Sequence, residues 1–193
     1  MSNGNDYLSY ASLNPTFLFL SGLAPHKNLW RLPELADELS KFLSQFKFML
    51  SVKKEDFLAT LRTIELKKYF IANENKFVFV GTIPPSQIDG YYKKSDFLVS
   101  LSDLESFSNN YMEAWKAGIP LIVSNRDFSR SICCDSALYI EPHNPQKAAL
   151  DISNFVKNYS LINYNVKKGK ELLKALPSTS QRTLEIIDIV KSL

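Results

Sequence analysis

The chain has 193 residues, 45% of them hydrophobic and 22% charged, which are the proportions of an ordinary soluble globular protein with room for one well-cored domain. Its 23 basic and 20 acidic residues leave a net charge of +3 and are mixed along the chain, without the clustered basic excess of a nucleic-acid binder. No apolar run approaches the ~20 residues of a membrane span, and no signal-peptide pattern opens the chain. Adjacent Cys133 and Cys134 with two histidines give neither a disulfide framework nor zinc spacing, so a reducing, cytoplasmic compartment is expected.

In chain order, Phe17-Leu18-Phe19-Leu20 reads as a buried strand, and Leu29, Leu32, Leu35, Ala36, Leu39, Phe42 and Leu43 follow at the spacing of one helix face. Phe46 to Val52 predicts a second strand and Asp56 to Phe70 a single helix. Phe77 to Val80 is a third strand closed by Gly81, with a short helix over Ser86 to Lys93. Phe97-Leu98-Val99, Leu121-Ile122-Val123 and Ala137-Leu138-Tyr139-Ile140 bring the strands to six, with helices at Asn109 to Ala117 and Asp127 to Ile132 between them. From Pro145 the pattern is only helical, and Gly169 and Pro177 read as breaks.

Short continuous apolar strands separated by helices imply a parallel sheet covered on both faces. The expected fold is an α/β, three-layer Rossmann-like domain over residues 17–176 with a helical C-terminal tail over 177–193. Ligands of such folds bind at the carboxyl ends of the strands, so the loops after Leu20, Val80, Val99 and Val123 matter most. No glycine-rich dinucleotide fingerprint, P-loop or Asp-x-Asp pair is present. Any phosphate would have to be met by helix N-termini and cations, without a metal.

The loop Ser21-Gly22-Leu23-Ala24-Pro25-His26-Lys27-Asn28 offers Gly22 for a tight exit, Asn28 as a helix N-cap, and Lys27 as a point charge for a diphosphate. Taken alone, Lys27 reads more simply as a solvated lysine, and His26 as a turn residue. The segment Glu105-Ser106-Phe107-Ser108-Asn109-Asn110-Tyr111-Met112-Glu113 carries more. A helix starting near Ser108 or Asn109 would aim first-turn N–H groups at the crevice. Glu105 before that turn and Glu113 one turn in could accept from sugar and ribose hydroxyls. Residue chemistry alone favours the plainer reading, an early-helix acid balancing the dipole. A glycoside-hydrolase acid pair is a further alternative.

Together these residues resemble the donor-binding half of retaining GT-B glycosyltransferases of the large family-4 group. The Glu-x7-Glu motif of that family, E-G-F-G-L-P-x-x-E-A-x-A-x-G-x-P-V, stands here as E-S-F-S-N-N-Y-M-E-A-W-K-A-G-I-P-L from Glu105 to Leu121. Phe17 to Leu29 resembles its strand and K-N loop, and Phe77 to Gly81 its V-x-F-x-G strand. Ser124-Asn125-Arg126-Asp127 with Asp135 to Tyr139 resembles its S-D-x-x-x…D-A-A-L-Y segment. The likeness spans residues 17 to 193.

The resemblance implies a hexosyl transfer from a nucleoside-diphosphate sugar, without metal or other cofactor. Glu105 and Lys27 would be the catalytic side chains, on the donor hexose and the diphosphate. Glu113 would hold the ribose. The backbone at Phe107, Ser108, Asn109 and Asn110 would line the phosphates, with Gly22 in the facing loop, and Gly81, Thr82 and Ile83 would border the base. Three departures stand out: Gly22 occupies the place of a second cation, Ser106 and Ser108 replace motif glycines, and Asn125 replaces an aspartate. Family members face a second, N-terminal Rossmann-like domain that this chain lacks, so it is expected to be a C-terminal half, inactive alone, with residues 1–16 (including Ser2-Asn3-Gly4) as linker. A non-catalytic sugar-nucleotide-binding or partner-docking subunit, and an epimerase, stay open. Contact of the lysine-rich tail (Lys167, Lys168, Lys170, Lys174) with the inner membrane face also stays open, beside the simpler solvated face.

Overall fold

The six apolar runs pair into one parallel sheet, in a computed structural model that describes residues 14–177 and 179–192. The strands are β1 (Thr16–Phe19), β2 (Lys47–Leu50), β3 (Phe77–Phe79), β4 (Phe97–Ser100), β5 (Leu121–Ser124) and β6 (Ala137–Ile140), in the spatial order β3-β2-β1-β4-β5-β6. The helices between and after them are α1 (Leu32–Ser40), α2 (Lys54–Thr60), α3 (Ile64–Asn73), α4 (Ile88–Tyr92), α5 (Asn109–Ala117), α6 (Asp127–Cys133), α7 (Pro145–Val156), α8 (Tyr159–Ala175) and α9 (Thr179–Lys191).

Strand alternation sorts the core into two faces. Phe17, Phe19, Phe97, Val99 and Ile122 point to one side, where they meet the apolar faces of α1, α3 and α7. Leu18, Leu98, Leu121 and Val123 point to the other, against Tyr92, Tyr111, Ala114, Trp115 and Cys133 of α4, α5 and α6. Two cores on the two faces make three layers. The first is rich in phenylalanine: Phe48 alone lies 5.1–5.8 Å, ring centre to ring centre, from Phe17, Phe19, Phe46 and Phe77.

Two sequence expectations need correction. The single helix expected over Asp56 to Phe70 is two, α2 and α3. Leu61 leaves helical geometry with ψ 89°, and Thr63 is extended with its Oγ1 accepting the Leu66 N–H at 3.2 Å. A threonine cap competes locally with helix continuation, and here it starts a new helix. Gly169 does not break the tail helix. It lies inside α8, where a Cβ would come within 2.2 Å of the Trp115 ring, so glycine serves close helix–helix packing against α5. Pro177 does separate α8 from α9.

The arm expected over residues 1–16 falls almost wholly outside the described residues, as does Ser2-Asn3-Gly4.

Candidate functional site

The strand order reverses between β1 and β4, and the crevice at their carboxyl ends is where an open parallel sheet offers a ligand site. Leu20, Ser21, Lys27, Ser102, Glu105 and Asn110 line it. Lys27 ends a short 3-10 turn, Pro25–Lys27, and its ammonium pairs with the carboxylate of Glu105 across the crevice mouth. The two side chains are 23% and 17% exposed, so the pair is largely shielded from solvent.

Below them, α5 starts at Asn109. Ser108, extended at φ −116°, holds the N-cap place with no side-chain hydrogen bond to the first turn. The dipole of α5 therefore meets the crevice without a side-chain cap. Asn110 Nδ2 donates to the Leu20 carbonyl at 2.7 Å and fixes that turn to the end of β1.

Glu113 looks elsewhere. It lines a groove between α4 and α5 with Pro85, Ile88 and Tyr92, and accepts the Tyr92 hydroxyl proton on Oε2 at 2.9 Å. Burial, and next the charge of Glu113, push the Tyr92 phenol above its usual range, so it stays a donor. One carboxylate oxygen of Glu113 is held in this way, and the other has no hydrogen-bond partner among the described residues. Tyr92 also touches the Asn110 carbonyl at 3.4 Å, which places the groove one helical turn from the crevice.

Of the remaining expected site residues, Phe107 is 48% exposed beside Glu105, and Ser108 is buried. Gly81 has φ +69°, a conformation side chains rarely adopt, and it turns the chain into exposed Thr82 and half-buried Ile83. Gly22 is exposed, outside the positive-φ region, and open around its Cβ position, so the tight exit expected of it makes no demand for glycine. Asn28 does precede a 3-10 turn but caps nothing with its side chain. In the left-handed conformation at φ 56°, its Nδ2 donates to the Leu101 carbonyl at 2.9 Å and to Asp103 Oδ2 at 2.6 Å.

Asp103 is the hub of a clamp that sequence reasoning did not find. Its backbone N–H donates to the His26 carbonyl at 2.8 Å, and its Oδ2 also accepts from His143 Nε2 at 2.7 Å. Arg31 Nη2 lies 2.8 Å from His143 Nδ1, and an arginine can only donate, so Nδ1 accepts and Nε2 carries the proton given to Asp103. Arg126, at the N-cap of α6, uses all five of its N–H bonds. Nε and Nη2 reach Asp103 Oδ1 at 3.1 and 2.7 Å, Nη1 and Nη2 reach the two oxygens of Glu141 at 2.7 and 2.8 Å, and Nη1 reaches the Asn125 carbonyl at 2.9 Å.

Burial alone would raise Asp103, but hydrogen bonds from Asn28, His143 and Arg126 hold its carboxyl below the usual range. The Arg126 hydrogen bonds hold Glu141 low as well. Loops from the carboxyl ends of β1, β4, β5 and β6 are thus tied together, and they fix the chain immediately beside Lys27 and Glu105.

Among the described residues no group of three or more His, Cys, Asp or Glu could hold a metal ion, and no helix is long and apolar enough to cross a membrane. In α8, Lys168 pairs with Glu171 at 2.9 Å while Lys167 and Lys174 are exposed.

Comparison with known proteins bears on this geometry. The family described as glycosyl transferases group 1 matches residues 11–172. An alpha-monoglucosyldiacylglycerol synthase of Streptococcus pneumoniae is 31% identical over 81 residues, 40% of this chain and 18% of that protein. Anabaena Alr3699/HepE, solved with UDP and glucose, superposes with a TM-score of 0.76 at 17% identity, covering 95% of this chain and 50% of its own. The C-terminal domain of the Francisella tularensis group 1 glycosyl transferase LpcC superposes with a TM-score of 0.67 at 17% identity, covering 83% of this chain and 84% of that domain. The chain therefore spans half or less of the first two proteins and most of the isolated domain.

Proposed function

The chain belongs to the glycosyl transferases group 1 family and has the fold of one GT-B half, and from that premise we propose that it is the nucleotide-sugar-binding domain of a retaining hexosyltransferase. The observation that carries this reading is the convergence of Lys27 and Glu105 over the β1/β4 crevice, beside the N-terminus of α5.

A nucleoside-diphosphate sugar has a complement for each part. The diphosphate meets the Lys27 ammonium and the first turn of α5 at Asn109 and Asn110, flanked by Phe107 and Ser108. The hexose hydroxyls donate to Glu105. The ribose diol donates to the Glu113 oxygen that Tyr92 leaves open, and the base lies against the Gly81-Thr82-Ile83 turn, with Gly22 in the loop opposite. In the transfer the bond from the anomeric carbon to the diphosphate oxygen breaks. A new bond to an acceptor oxygen forms on the same face, and the acceptor proton passes to the departing diphosphate oxygen. Charge grows on the leaving diphosphate, where Lys27 and the helix dipole stabilise it without a metal; such preorganised groups are commonly worth about 3 kcal/mol each.

The acceptor site belongs to a second Rossmann-like domain, and the chain alone is inactive in transfer. The coverage of about half of HepE supports that organisation. Free Cys133 and Cys134 support a reducing, cytoplasmic setting.

The test is calorimetry of UDP, GDP and ADP, each with its glucose conjugate, on this chain and on Glu113→Ala. We expect one nucleotide to bind, and Glu113→Ala to weaken it by about ten- to a hundredfold, the loss of hydrogen bonds to a charged group, with the fold retained but the thermal melt lowered by the loss of the Tyr92 hydroxyl's acceptor. Equal affinity in the variant would refute the ribose assignment.

A further inference from the structure

The ion pair between Lys27 and Glu105 brings together the two groups that the donor reading assigns to different parts of one ligand. The backbones that carry them are held in place. The Lys27 N–H donates to the Ala24 carbonyl at 2.9 Å within its 3-10 turn, and Asn28 next to it is tied to Leu101 and Asp103. Two residues before Glu105, Asp103 donates its N–H to the His26 carbonyl at 2.8 Å. The backbones on both sides are joined, which keeps the two side chains within reach of each other.

A diphosphate that reaches Lys27 takes the ammonium away from Glu105. The carboxylate, 17% exposed, is then left in a shielded place without its cation, which is costly. A hexose attached to that diphosphate repairs the loss, because its hydroxyls donate to Glu105. A free nucleoside diphosphate has nothing to offer there.

We propose that the Lys27–Glu105 pair is a specificity device: through it, Glu105 makes the site prefer an intact nucleotide-sugar over the spent nucleoside diphosphate. The inference rests on the donor reading above. It also gives the site a route to product release. Once the hexose has left, Glu105 loses its hydroxyl partners, and Lys27 returns to it in competition with the diphosphate.

The pair predicts different outcomes for its two members, which a merely structural contact would not produce. In Glu105→Gln the ammonium is free, so the free nucleotide should bind about three- to tenfold more tightly, the size of a partly shielded ion pair, while the sugar conjugate gains nothing. The preference for the conjugate should shrink. In Lys27→Gln both ligands should bind more weakly by about the same factor, and the preference for the conjugate should stay, because the free protein is the common starting point for both and Glu105 still takes the hexose hydroxyls.

The experiment is calorimetry of UDP, GDP and ADP and their glucose conjugates on the wild-type chain and both variants, with thermal melts to verify folding. Tighter free-nucleotide binding with a falling preference in Glu105→Gln, and weaker binding with an unchanged preference in Lys27→Gln, support the proposal. Free-nucleotide affinity unchanged or lower in Glu105→Gln, or a preference that falls in Lys27→Gln as much as in Glu105→Gln, overturns it while leaving the donor site standing. Should Lys27→Gln not fold, the free-nucleotide affinity of Glu105→Gln decides; should Glu105→Gln not fold, Glu105→Ala takes its place. No binding of any of the six compounds to the wild-type chain would remove the donor reading and this inference with it.

Discussion

The phenylalanine-lined face of the sheet and the polar carboxyl edge are held together by different physics. On the face, Phe48 and the rings around it are buried and non-directional in their demands, so stability comes from area and close packing. On the edge, the partly exposed Arg126, Asp103, Glu141 and His143, with buried Asn28, contribute strict geometry. The first region makes the domain fold. The second fixes where Lys27 and Glu105 stand. A domain whose core is generic and whose edge is specific can keep its fold while its loops acquire different ligands.

That division can be broken by substitution. Phe48→Ala removes a ring from the centre of the aromatic cluster and should cost about 3–5 kcal/mol, the usual range for a large aromatic lost from a core. Denaturant titration measures it. At temperatures where the variant remains folded, its nucleotide affinity should equal that of the wild type, since the clamp is untouched.

Arg126→Met should show the reverse balance. Its stability cost is smaller, about 1–3 kcal/mol, because the guanidinium and its partners are partly exposed. Nucleotide affinity should nonetheless fall, because Asp103 no longer fixes the two loops.

The same variant carries a signature in pH. Asp103 and Glu141 both titrate below their ordinary values in the fold. Their contribution to stability is therefore fully present above the unfolded values, about 3.9 for Asp and about 4.3 for Glu. It disappears as pH falls through the lower, folded values. Without Arg126 the two carboxylates face each other with no cation between them, which raises their affinity for protons. Thermal melts from about pH 7 down to about pH 3 should thus show the wild type losing stability over the last unit or two, and the variant losing less or gaining. Parallel curves would mean that the clamp holds nothing electrostatically.

What the sequence disclosed follows the same division. All six strands were visible as apolar runs, and strand alternation with helices placed the crevice, since burial patterns are local and periodic. Glu105 and Glu113 were visible because one loop-to-helix segment carries both. The clamp was not visible. Asp103, Arg126, Glu141 and His143 sit in loops that the chain order separates and the parallel topology reunites, so no spacing announces them. Tyr92 was hidden for the same reason: its hydroxyl finds Glu113 only after α4 has packed on α5. The break at Leu61-Arg62-Thr63 turned on one threonine choosing to cap, and Gly169 on a tryptophan from a distant helix. Tertiary contacts decided both.

The central claim, that the β1/β4 crevice is a nucleotide-sugar site, is tested most directly by following backbone amide signals while the preferred nucleotide of the UDP, GDP and ADP panel is added. The account predicts the largest changes in two segments, Ser21 to Asn28 and Glu105 to Asn110, with a smaller group at Gly81 to Ile83 and Glu113. Changes centred away from the carboxyl edge of β1 and β4, or spread evenly over the surface, would contradict it.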